Sequence, residues 1–194
     1  MSQQIMNPVA LLPVLVLPGY GGSGPAHWQT LWEHSHPNFR RVEEKDWDVP
    51  VCAEWVAELE EAVKRSGPET VLVAHSLACL QVAHWALGTD GSFEAPSPIK
   101  AAFLVAPPDP QGPEFPVTAT GFFPIPQRPF GFPTLVVGST NDPYADLHFT
   151  EKCAHDWGAR FVSAGPLGHI NANSGLGEWG EGMDLLLSLL KGNG

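Results

Sequence analysis

Val71-Leu72-Val73-Ala74-His75-Ser76-Leu77-Ala78 is a run of β-favouring residues that ends in serine and passes directly into Leu77–Leu87, a segment with helical patterning. A serine at such a junction sits on a sharp turn with its hydroxyl exposed, beside the free N–H groups at the amino end of the helix. The usual form of this elbow is G-x-S-x-G, because the turn leaves little room for side chains two residues to either side. Here both positions are alanine, Ala74 and Ala78, the smallest step away from glycine. Read without its context, Ser76 is equally a helix cap.

Working outward, apolar β-rich runs recur at Pro13–Leu17, Ala101–Ala106, Thr134–Val137 and Arg160–Ser163, with a weaker one at Phe39–Val42. Between them, Cys52–Ser66 carries Trp55, Val56, Leu59 and Val63 at helical spacing and is stopped by Gly67-Pro68. Tyr144–Trp157 reads the same way, and Leu185–Leu190 can close the chain as a helix. Strands alternating with helices predict a parallel sheet covered on both faces, a three-layer α/β/α sandwich. From Pro107 to Pro133 closely spaced prolines forbid a long regular element, and Phe115, Phe122, Phe123, Phe130 and Phe132 punctuate the run. This stretch joins two strands at their carboxyl ends, where open α/β sheets bind ligands. It is therefore expected either to lay Phe122 and Phe123 over the site as substrate contacts or to plug the edge of the core.

Composition narrows the classes. A chain of 194 residues with 43% hydrophobic side chains is long enough for a continuous core, and a single domain over 1–194 is expected. The opening run Val9–Leu17 is short, contains Pro13 and lacks a basic flank, so neither a membrane helix nor a cleaved signal is expected. The odd, widely spaced Cys52, Cys79 and Cys153 argue against a disulfide framework or a C-x-x-C metal site and fit a reducing cytoplasm. A net charge of −11 opposes binding to nucleic acid or an anionic membrane.

A serine hydroxyl is a poor nucleophile until a base removes its proton, and that base needs a third group to orient it. Gly168-His169 follows the last predicted strand and its turn, at the sheet edge where Ser76 emerges. The acid should lie between them in sequence, since strand-ordered folds of this type run serine, acid, histidine. Asp142, after the next-to-last strand, fits that order; Asp109, after the strand before, competes, and Asp146 falls inside the predicted helix. Oxyanion donors are expected from the N–H of Leu77 and from that of Tyr20 in Leu17-Pro18-Gly19-Tyr20-Gly21-Gly22-Ser23-Gly24, with Gly19 and His75 close to the substrate. His27, beside that loop, is expected to pack under it with Trp28. Neither a metal nor a cofactor is called for.

With these residues in place, the chain resembles the YdeN-like serine hydrolases, the compact α/β-hydrolases of the retinoblastoma-binding-protein-nine type. The likeness runs through Leu17-Pro18-Gly19, Gly22-Ser23-Gly24-Pro25, His27-Trp28-Gln29, Leu31-Trp32-Glu33 and Asp46-Trp47. It continues through Val73–Leu77, Leu104–Pro108, Asp142-Pro143-Tyr144, Gly168–Asn171 and Ser174–Trp179. The resemblance implies a six-stranded, mainly parallel sheet without a large lid, and Ser76, Asp142 and His169 as a triad acting on small acyl esters; it favours Asp142 over Asp109. The family commonly has glycine where this chain has Ala78. Two rivals stand beside this reading: a non-catalytic interaction protein on the same fold, and a dinucleotide-binding protein. The second rests on Gly19-Tyr20-Gly21-Gly22-Ser23-Gly24, which fits G-x-G-x-x-G, with Glu43 or Glu44 as the ribose acid. Pro18 and Pro25 flank that motif unfavourably.

Overall fold

The computed structural model describes residues 8–88 and 99–192. The expected domain extent, 1–194, thus includes residues 1–7, 89–98 and 193–194, which lie outside the described ones. Six strands, β1 (Val14–Leu17), β2 (Phe39–Arg41), β3 (Thr70–His75), β4 (Ile99–Val105), β5 (Thr134–Gly138) and β6 (Arg160–Ser163), form one sheet. Their order is β2-β1-β3-β4-β5-β6, and every pairing is parallel. The helices are α1 (Trp28–Ser35), α2 (Cys52–Ser66), α3 (Leu77–Leu87), α4 (Leu147–Asp156) and α5 (Gly180–Leu190). This is a compact α/β-hydrolase fold, and among the described residues no large lid is inserted. Among the described residues, no helix is long and apolar enough to cross a membrane.

The strands are apolar at nearly every position because both faces of the sheet are covered. Period-two alternation sorts their side chains. Leu15, Leu17, Leu72, Ala74, Ala102, Leu104 and Val136 pack with α2, α3 and α4. Val14, Val16, Val71, Val73, Phe103, Val105, Leu135 and Val137 pack with α1 and α5. On that second face Trp28, Trp32 and Trp179 form an aromatic cluster with Phe103, and the Trp28 and Trp179 ring centres are 5.1 Å apart. The most central helix is α3, whose eleven residues are all buried.

Several boundaries differ from the sequence-based expectation for local reasons. The helix expected from Tyr144 starts at Leu147, because Asp146 accepts a hydrogen bond from the Phe149 N–H at 2.7 Å and caps it. Asp146 therefore lies at the helix end and not inside it. The closing helix begins earlier, at Gly180, where Trp179 takes a left-handed conformation (φ 42°). In the segment 107–133, Phe122 and Phe130 are buried in the core, with Phe122 edge-on to Trp55 and Phe130 stacked on Trp157. That stretch plugs the core edge with its rings.

A polar anchor, Gln29, locks three segments together from α1. It is fully buried, its amide nitrogen donates to the carbonyls of Leu17 and Val73 (3.0 Å each), and its amide oxygen accepts from Ser23 Oγ at 2.7 Å. The ends of β1 and β3 and the Gly-rich loop are thereby held by one side chain. Replacing it with leucine keeps the volume but leaves these polar groups unpaired in the interior. Gln29→Leu is expected to lower stability by about 2–4 kcal/mol, read as an earlier urea midpoint with an unchanged m-value.

Candidate active site

Ser76 stands at the carboxyl end of β3 with φ 56° and ψ −127°, a backbone conformation that L-residues rarely adopt. The turn forms although both flanking small positions are alanine; Ala74 and Ala78 are fully buried in the sheet and in α3. Two contacts hold it. The Ser76 N–H donates to the Val105 carbonyl at 2.8 Å, and the Cys79 N–H donates to the Ser76 carbonyl at 2.9 Å. The loop after β1 supplies the space: a Cβ placed on Gly19 would lie 2.7 Å from Ser76 Cβ and 2.9 Å from the His75 carbonyl. Glycine is required there by sterics alone.

The three residues drawn from separate strand ends converge. His169 Nε2 lies 2.8 Å from Ser76 Oγ, and His169 Nδ1 lies 2.9 and 2.8 Å from the two carboxylate oxygens of Asp142. A carboxylate only accepts, so Nδ1 carries the hydrogen and Nε2 offers its lone pair to the Ser76 hydroxyl. Asp142 is further fixed by the Tyr144 N–H at 2.9 Å, and the Tyr144 ring lies 4.3 Å from the imidazole. Asp109 is engaged elsewhere, accepting from the Gln111 N–H in its own turn.

These groups open into a cavity of about 490 Å³. From the Gly-rich loop, Tyr20, Gly21, Ser23 and Gly24 line it; from the 107–133 segment, Pro108, Glu114, Pro116, Val117 and Thr118 do so. Phe122 and Phe123, the expected substrate contacts, do not reach it: Phe122 is in the core, and Phe123 faces away, 56% exposed. Burial of the Phe122 ring in the core turns the adjacent Phe123 outward, and Pro116, Val117 and Thr118 are left along the cavity. Leu77 lines it and, as the first residue of α3, has an N–H with no intrahelical acceptor. Tyr20 lines it as well. Gly19 is the spacer between that loop and the elbow and does not line the cavity.

His27 is buried against Trp28, as expected, with ring centres 5.3 Å apart; its contact with His75 behind the serine is not visible in the local sequence pattern. His27 caps α1, its Nδ1 accepting from the Gln29 N–H at 3.2 Å, and its ring meets that of His75 edge-on at 4.7 Å. Burial, then the neighbouring His169 and Arg41, lower the His27 pKa to about 4, and burial with His27 and His169 alongside holds His75 well below the ordinary range. Both rings are therefore neutral beside the working end of the sheet. Glu44, a candidate ribose acid, is buried against α3, where it accepts from Gln81 Nε2 at 2.8 Å and burial pushes its pKa up to about 8. The Gly-rich loop packs on the elbow and on Trp47, which leaves the dinucleotide reading without support.

Comparison with known proteins agrees with this architecture. The serine hydrolase family matches residues 14–188, and the chain belongs to that family. Among solved structures it is similar to a YdeN-like hydrolase from Pectobacterium atrosepticum, with 27% identity, 93% of this chain and 91% of that chain covered, and a TM-score of 0.78. It is similar in fold to the ydeN gene product of B. subtilis (19% identity, 92% and 98% covered, TM-score 0.72). The same holds for esterase 2 of Thermogutta terrifontis (14% identity, 94% and 84% covered, TM-score 0.65). A search of curated proteins finds no match. The protein is a serine hydrolase.

Two outcomes follow from this geometry. Gly19→Ala forces the elbow to shift, and a displacement of about 1 Å at reacting groups costs on the order of 10²-fold in rate; hydrolytic kcat measured beside a thermal melt is expected to fall by that order. The second concerns acid. An unfolded histidine binds its proton near 6.5, whereas His27 in the fold does so only near 4, so the unfolded state holds more protons between those values. Stability therefore falls as pH is lowered from 6.5 toward 4, and urea titrations of His27→Asn, which keeps a capping oxygen but no titrating ring, are expected to show a shallower fall.

Proposed function

We propose that Ser76, His169 and Asp142 form a catalytic triad that hydrolyses small acyl esters through an acyl-enzyme, in a protein of the YdeN-like, retinoblastoma-binding-protein-nine type. The observation that carries this reading is the 2.8 Å contact between His169 Nε2 and the hydroxyl of a serine held at φ 56°.

In the first step Ser76 Oγ attacks the acyl carbonyl carbon while its proton passes to His169 Nε2. Asp142 keeps the imidazole in the required tautomer and steadies the imidazolium that forms. The negative oxygen of the tetrahedral intermediate is taken up by the N–H groups of Leu77 and Tyr20. Collapse breaks the ester C–O bond, and the proton on His169 goes to the departing alkoxide. Water then attacks the acyl-enzyme with His169 as base, and the acid and the free Ser76 hydroxyl are regenerated.

The walls support a short acyl group. The cavity is about 490 Å³, with polar Thr118, Asn171 and Asn173 among its lining, and among the described residues no lid encloses a long chain. Similarity in fold to esterase 2 of Thermogutta terrifontis fits an ester as the substrate class.

The test is a panel of 4-nitrophenyl acetate, butyrate and octanoate, with the matching thioester and anilide of the best acyl group. Turnover is expected to be highest on the shorter esters, and Ser76→Ala or His169→Ala is expected to lose roughly 10³-fold or more in kcat. Wild-type turnover by Ser76→Ala would exclude the proposed nucleophile.

A further inference from the structure

We infer that His75, the residue before the proposed nucleophile, is a positioning residue that sets the register of His169 through its main chain. This rests on the triad proposed above and adds a residue to it. His75 Nε2 lies 2.9 Å from the His169 carbonyl oxygen. A carbonyl only accepts, so Nε2 carries the hydrogen and His75 donates it.

The bond matters because of what it joins. His169 sits on the loop after β6, and the other polar ties of that loop run elsewhere. The Leu167 N–H donates to Ser139 Oγ at 3.0 Å and the Gly168 N–H to Asn141 Oδ1 at 2.7 Å, both beyond β5. The Ile170 carbonyl accepts from Trp28 Nε1 of α1 at 2.8 Å. Apart from the His169–Ser76 contact itself, the His75 bond alone, among the polar ties described for this loop, reaches the strand that carries Ser76. It therefore fixes the base relative to the nucleophile, across 94 positions of sequence.

Rings enclose most of His75, although part of it lines the cavity. It is 4% exposed and is packed by the rings of His27 at 4.7 Å, His169 at 4.9 Å and Trp28 at 6.1 Å. The facing titratable groups are histidines, and burial keeps both His75 and His27 uncharged, while the Nε2–H donor is held toward the His169 carbonyl. A charged ring here would lie against the imidazolium that the mechanism forms on His169. A neutral donor to the main chain orients that imidazole without opposing its charge. His75 also lines the cavity, where a substrate contact is expected of it, and the positioning role is added to that.

His75→Phe keeps the aromatic packing and removes the donor; His75→Gln keeps an N–H at similar reach. With thermal melts to establish folding, His75→Phe is expected to lower kcat on the best ester about 10–100-fold with KM within about twofold, and His75→Gln to stay within about threefold of wild type. A second readout does not depend on turnover. The His169 Nδ1 proton shared with Asp142 should give a downfield proton NMR resonance in wild type and His75→Gln that broadens or disappears in His75→Phe. Wild-type kcat and an intact resonance in folded His75→Phe would overturn the inference, as would an equal loss in His75→Gln. If the wild type turned over no ester, the triad reading would fail, while loss of the resonance confined to His75→Phe would still support the positioning.

Discussion

Everything at the working end of this sheet depends on one unfavourable backbone conformation, the left-handed turn at Ser76. A non-glycine residue in such a region costs on the order of 1–3 kcal/mol and persists only where its surroundings over-determine it. Here the surroundings are β4, whose Val105 carbonyl receives the Ser76 N–H, the fully buried α3, and the bare face of Gly19. Burying the eleven residues of α3 yields far more than that cost, at roughly 1.5–3 kcal/mol for each large apolar side chain removed from water. The core thus holds the serine in a pose that local preference alone would refuse.

Around this turn the fold places loops from four strand ends and ties them with buried polar bonds. Gln29 clasps the ends of β1 and β3, Trp28 holds the loop carrying His169, and Ser139 with Asn141 joins that loop to the end of β5. Such bonds matter more inside than at the surface, because a buried polar group that loses its partner costs about 1–3 kcal/mol. The surface ion pairs have no such weight; Lys45–Glu54 and Lys64–Glu61, both well exposed, contribute little to stability. The rigidity of the site comes from neutral donors and acceptors at its base, while the net charge of −11 is carried mostly by solvated side chains elsewhere.

Much of this was legible in the residues. Alternation of strand and helix patterns, with strands apolar at almost every position, specifies a parallel sheet covered on both faces, and the order serine, acid, histidine points to the residues that the structure brings into contact. What escaped notice is set by tertiary contacts. The helix α1 spans only eight residues and has polar Gln29 at one of its most buried positions, so its apolar period is broken by the side chain that anchors it. Phe122 and Phe123 follow each other in sequence, yet one ring enters the core and the other faces solvent, a choice that local pattern does not encode. Asp146 reads as a helix-interior acid until its capping bond is seen. His75 resembles any residue beside an elbow serine; its partner is 94 positions away.

The claim on which the account turns is that Ser76 is an activated nucleophile, and covalent labelling addresses it most directly. Intact-mass spectrometry after exposure to a fluorophosphonate, followed by peptide mapping, should show one adduct on Ser76, none on Ser76→Ala, and much slower modification of His169→Ala. A folded wild-type protein that remains unmodified, or one modified at a different residue, would contradict it.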